Sequence, residues 1–104
     1  MAFCMIYTTH SSEEEARRIA HLLVQEKLAA CANIFPISSV YWWQQQIEQD
    51  KEWVAVLKTT PSYWHAVKER IAKEHHYDVP CIIKWEVEAN DAYEKWISDS
   101  MKKD

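Results

Sequence analysis

The chain has 104 residues and no glycine, where an average usage of about 7% would supply roughly seven. A Walker-type phosphate loop, a G-x-G-x-x-G dinucleotide turn and a G-x-S-x-G nucleophile elbow all need backbone conformations that a Cβ blocks, so these three classes are excluded. Twelve Lys and Arg against sixteen Asp and Glu leave a net charge of −4, the wrong sign for gripping phosphate backbones, and no nucleic-acid partner is expected.

The remaining composition, 48% apolar and 27% charged, describes one folded domain over residues 1–104. No apolar run approaches the ~18 residues of a spanning helix, and Met1-Ala2-Phe3-Cys4 has no basic leader region, so the expectation is a cytoplasmic protein without a membrane partner. Three cysteines, Cys4, Cys31 and Cys81, are an odd number without C-x-x-C spacing and suit a reducing compartment. Six Trp and five Tyr are many for so short a chain. Each large aromatic buries about 150–250 Å², so some belong to an interface or a cleft.

The first β-rich run is Phe3–Thr9. A helix follows from about Ser12 to Lys27: Ser12 and Glu15 have capping-box spacing, and Ala16, Ile19, Ala20, Leu23 and Val24 form one apolar stripe. Glu13 with Arg17 and Glu14 with Arg18 are i, i+4 pairs of its solvated face. Further β-rich runs are Ala29–Phe35, Val40–Gln46 and Trp53–Thr59, together a long hairpin. Tyr41, Trp42 and Trp43 in its middle point to both faces, so at least one indole is exposed or covered from outside the sheet. A second helix starts at Thr60-Pro61, carries Trp64, Val67 and Ile71, and ends near His75. The last strand is Ile82–Glu88. Asn90-Asp91 opens a short third helix with Tyr93, Trp96 and Ile97 directed to the body of the protein. The order strand, helix, strand, strand, helix, strand is the split βαβ arrangement. It predicts an α+β, ferredoxin-like antiparallel sheet with two helices on one face.

Several residues could carry chemistry. His75 and His76 close the second helix. Adjacent histidines on a helix point about 100° apart, so they chelate as a pair only if the helix end releases one; otherwise one favours the helix dipole and the other is exposed. Cys31, among small residues on a strand, is either a buried thiol or a soft copper ligand. Cys81 lies near the histidines in sequence and either completes a site with them or packs. His10, His21 and His65 read as isolated. Lys58, at a strand end before the second helix, either holds an anion or guards a sheet edge.

The blocks Gln25-Glu26-Lys27-Leu28-Ala29-Ala30-Cys31-Ala32-Asn33-Ile34, Ser39-Val40-Tyr41-Trp42-Trp43, Leu57-Lys58-Thr59 and His75-His76-Tyr77-Asp78-Val79-Pro80, with Tyr93-x-x-Trp96, resemble the CutA family of divalent-cation-tolerance proteins. The resemblance covers nearly the whole chain. It implies a ferredoxin-like homotrimer similar in shape to PII signalling proteins, a role in tolerance of copper and other divalent ions, and no enzymatic reaction. It places Tyr41, Trp42 and Trp43 in an inter-subunit cleft beside Cys31 and Lys58, and carries a copper-ligating histidine over to His75. Cu(II) or a related divalent ion, held by His75 or His76 with Cys31 or Cys81, is the implied ligand, with no obligatory cofactor. A second reading is a PII-like trimer that takes a small anion near Lys58 and signals to an unidentified protein partner. This chain departs from the family pattern at Cys81, where a carboxylate is usual, and in its loops, which lack glycine. Turn duties are therefore expected of Asn33, Pro36, Ser38-Ser39 and Asn90-Asp91.

Overall fold

The computed structural model describes residues 3–103. Its elements are β1 (Phe3–His10), α1 (Glu13–Gln25), β2 (Cys31–Trp43), β3 (Gln46–Thr59), α2 (Trp64–Glu74), β4 (Ile82–Val87) and α3 (Asp91–Ser100), with a 3-10 turn at Pro61–Tyr63 leading into α2. One antiparallel sheet has the order β2-β3-β1-β4, the ferredoxin-like arrangement expected from the element order.

Alternation along the strands gives each face its role. Cys4 and Ile6 of β1 and Leu57 of β3 join Ile19, Ala20 and Leu23 of α1 and Val67 and Ile71 of α2 in the main core. Ser12 caps α1 by accepting from the Glu15 amide at 3.1 Å. The Glu15 carboxylate turns instead to Arg18 and His76, so only half of the capping box forms. Arg17 pairs with Glu13 as expected, but Arg18 reaches Glu15 and Glu74 and not Glu14. Val24, expected on the buried stripe, is exposed.

A second cluster, Phe3, Ile97 and Met101 with Val87 and Tyr93 beside it, places α3 across the end of the sheet where β1 begins. Asn90 precedes this helix without a side-chain capping bond; the Glu94 carboxylate accepts from the Ala89 amide at 2.8 Å. Ile97 is fully buried, whereas Trp96 stays 47% exposed.

The hairpin departs most from expectation. β2 runs unbroken from Cys31 to Trp43, so Asn33, Pro36, Ser38 and Ser39 are strand residues and not turn residues. Pro36 fits because β2 is an edge strand, where a missing N–H costs no ladder bond. Beyond the Trp53–His10 pair β3 has no β1 neighbour, and the two strands continue to the Trp43–Gln46 pair as a projecting ribbon. The ribbon gives the chain extents of 46 × 25 × 21 Å. Its tip turns on Gln44 and Gln45, with φ of 49° and 67°. The chain leaves α1 through Lys27 at φ 62°.

Candidate functional site

Chemistry-bearing side chains gather at the two ends of the sheet. At the α3 end, Cys31 on β2 pairs in register with Lys58 on β3, and Tyr93 of α3 reaches over both. Lys58 Nζ lies 3.1 Å from the Tyr93 hydroxyl, and Cys31 Sγ lies 3.5 Å from the same oxygen. An ammonium only donates, so the tyrosine oxygen accepts from Lys58 and its own hydrogen is left for the sulfur. This bond raises the pKa of Lys58 against the opposing effect of partial burial, and its cation also sits 5.2 Å from the Tyr93 ring centre.

The ribbon's aromatic stretch lies on both faces. Tyr41, Trp42 and Trp43 are 38%, 70% and 42% exposed, with Val40 and Ile47 beside them also exposed. Tyr41 donates to Asp50 across the ribbon, and that bond is the main cause pushing its phenol up to about 12.

The opposite end joins the end of β1, the first turn of α1 and the residues just after α2. His75 caps α2, and its ring is fixed at both nitrogens: Nδ1 accepts from the Tyr77 amide at 3.1 Å, so Nε2 carries the hydrogen and donates to the Thr9 carbonyl at 2.6 Å. His10 stacks on it, centroids 4.9 Å apart. His10 is 1% exposed, and neither of its ring nitrogens has a hydrogen-bond partner among the described residues. Burial, reinforced by His75, lowers its pKa to about 4, so it is neutral at physiological pH. His76 points outward with Nε2 3.2 Å from Glu15 Oε1. Between them lies a cavity of about 10 Å³, room for one water-sized occupant, lined by His10, Ser11, Glu15, Ile19, His75, His76 and Tyr77.

Cys81 lies nearby, hydrogen-bonded to the Thr9 side chain while the Thr9 carbonyl holds His75. Burial, then the Glu52 carboxylate, pushes its thiol up. Glu52 accepts from the Tyr77 hydroxyl at 2.8 Å. Burial and this bond raise the Tyr77 phenol well above its usual range.

The expected ligands are thus divided. His75, His76 and Cys81 come to one end. Cys31 belongs to the other, four residues along β1 and two strands across from Thr9, a separation of roughly 15 Å. Among the described residues no three His, Cys, Asp or Glu side chains converge closely enough to hold a metal ion as they stand. Sequence reasoning missed His10 and Glu15. Their signal was topological: in a split βαβ fold the end of the first strand and the end of the second helix meet. No helix among the described residues is long and apolar enough to cross a membrane.

Residues 4–100 match the family model described as CutA1 divalent ion tolerance protein. The divalent-cation tolerance protein CutA of Pyrococcus horikoshii is 43% identical over 100 residues, covering 95% of this chain and 98% of its own. The protein of the same description from Thermotoga maritima is 39% identical over 98 residues, covering 93% and 97%. The crystal structure of CutA1 from Pyrococcus horikoshii superposes with a TM-score of 0.92 at 42% identity, over 96% of this chain and 99% of that one. The structure described as the periplasmic divalent cation tolerance protein CutA from Archaeoglobus fulgidus gives 0.93 at 38% identity, over 96% and 99%.

Proposed function

The chain belongs to the CutA1 family of divalent ion tolerance proteins, and from that premise we propose that it acts in divalent-cation tolerance as a cytoplasmic homotrimer that takes up Cu(II) or a related ion reversibly and catalyses no reaction. The observation that carries this reading is the gathering of imidazoles at one end of the sheet, His75 and His10 stacked and His76 against a carboxylate. Imidazole with oxygen or thiolate is the donor chemistry that copper and zinc select. In this reading His76 and Cys81 are donors, and His75 is held beside them by Thr9 and Tyr77. Cys31 enters a metal site only together with donors of another protomer. The exposed aromatic ribbon supports self-association, since apolar surface of that kind is covered in stable assemblies.

Isothermal titration of the reduced protein with Cu²⁺ and Zn²⁺ tests the proposal. Saturable binding that weakens in His76→Ala supports it, and an absence of binding for both ions contradicts it.

A second reading rests on Lys58. Its ammonium, carried on the open sheet face beside Tyr93, suits a small anion held between protomers whose occupancy an unidentified protein partner reads. Tryptophan fluorescence separates the two: a response to small anionic metabolites that Lys58→Gln abolishes favours the second reading.

A further inference from the structure

We propose that residues 75–81 form a strap that fixes the direction of the β2–β3 ribbon, with Tyr77 as the positioning residue and Glu52 as the point it holds. The device goes beyond the tolerance reading. Its effect on assembly rests on the self-association inferred above, whereas its effect on the ribbon itself does not.

The sheet creates the need for such a strap. The last β1–β3 pair is His10 with Trp53, so from the Ile37–Glu52 pair outward the ribbon consists of its own two strands. A two-stranded ribbon is marginal in water, and its own ladder leaves its angle to the rest of the sheet unset.

The strap is fastened to β1 at both ends by the same residue. His75 Nε2 donates to the Thr9 carbonyl at 2.6 Å, and Cys81 is hydrogen-bonded to the Thr9 side chain. Thr9 pairs with Val54, two residues from Glu52 on the same face of β3. The middle of the strap spans that gap: the Tyr77 hydroxyl donates to Glu52 Oε2 at 2.8 Å. Tyr77 is itself held, by its amide on His75 Nδ1 at 3.1 Å and by its ring, 4.7 Å from that imidazole.

Glu52 is a strong anchor because it is 9% exposed, whereas the β3 residues beyond it toward the tip are exposed or half-buried. A carboxylate so placed needs its hydrogen bond, since burial without one is costly, and a bond to an ionised acceptor is stronger than one between neutral groups. Tyr77 thereby ties the end of α2 to the ribbon that carries Tyr41, Trp42 and Trp43. A ribbon whose direction is set in advance loses less freedom on meeting a second copy, which favours association.

Amide hydrogen exchange and serial dilution of the parent and of Tyr77→Phe test the strap. Phenylalanine keeps the ring against His75 and removes only the hydroxyl. In Tyr77→Phe the amides of residues 38–51 are expected to exchange several-fold faster while those of β1 and β4 are unchanged. The concentration at which the assembly half-dissociates is expected to rise by about tenfold. Glu52→Gln keeps an acceptor oxygen; it is expected to fall between the two proteins and carries the test if Tyr77→Phe fails to fold. Ribbon exchange equal to the parent's in both variants overturns the strap, as does an equal acceleration in β1 and β4, which would mark a loss of general stability. A parent that stays a single chain at every concentration overturns the self-association reading, and the ribbon exchange then decides the strap alone.

Discussion

The imidazole of His10 lies 22° from parallel to that of His75, centroids 4.9 Å apart, and the two rings differ completely in their hydrogen bonding. His75 is bonded at both nitrogens, whereas buried His10 has no partner at either among the described residues. The stack supplies packing, and the fold carries the cost of an unmet polar ring.

That cost depends on pH. The pKa of His10 is lowered from 6.5 to about 4 in the folded protein, so between these values the unfolded chain binds more protons. Its contribution is therefore complete above pH 6.5 and is lost as pH falls through 4, by about 3 kcal/mol in total. Urea unfolding at pH 7.5 and at pH 4.5 measures this loss. His10→Phe, which cannot titrate, is expected to show a smaller difference between the two conditions than the parent.

The ribbon tip holds a second cost. Gln44 and Gln45 both have positive φ, the mirror-image hairpin turn that Asn-Gly normally fills, and each bears a Cβ there. Gln45→Gly is expected to raise stability by about 1 kcal/mol, since the left-handed conformation costs an L-residue about 1–2 kcal/mol. Ser38→Gly, in the middle of β2, is expected to lower it. Denaturant midpoints of the two variants check both signs.

The architecture was legible in the chain because strand and helix periodicities follow one another in an order that only a few topologies accommodate. Ser12 caps α1 as expected, Asn90 stands at the start of α3 without a capping bond, and Pro61 opens the 3-10 turn that leads into α2. Turn positions were not legible. Pro36 and Ser38-Ser39 read as breakers, but an edge strand tolerates them, and in a glycine-free chain the left-handed residues Lys27, Gln44 and Gln45 carry no compositional mark. At the site, His75 and His76 were visible as a pair. His10 was not, because its proximity to His75 arises from the ends of two elements meeting across 64 intervening positions, and burial with unmet nitrogens is a property of packing alone.

The Lys58–Tyr93–Cys31 relay predicts thiol reactivity. The Tyr93 hydroxyl, accepting from Lys58, turns its hydrogen to the half-buried Cys31 sulfur, and a partly exposed thiol beside a cation is the setting in which cysteines react. Tyr93→Phe is expected to slow iodoacetamide alkylation at Cys31 several-fold and leave Cys81 unaffected, read by mass spectrometry of the modified peptides. Equal rates at Cys31 in the two proteins would show that the hydroxyl does not assist the thiol.

Trp42 stands 70% exposed on the ribbon, too large an apolar surface to leave in water without a partner. Trp42→Glu is expected to shift the light-scattering mass toward the single chain while leaving far-ultraviolet circular dichroism unchanged, because its side chain lies outside both cores.

Native mass spectrometry of the reduced protein, loaded with Zn²⁺ and exchanged into volatile buffer, tests the central claim most directly, since one spectrum reports assembly and ion uptake together. A mass of three chains carrying one ion per protomer is the predicted result. Three chains without retained Zn²⁺, or single chains whatever their metal content, would contradict the account of a trimer that takes up divalent ions.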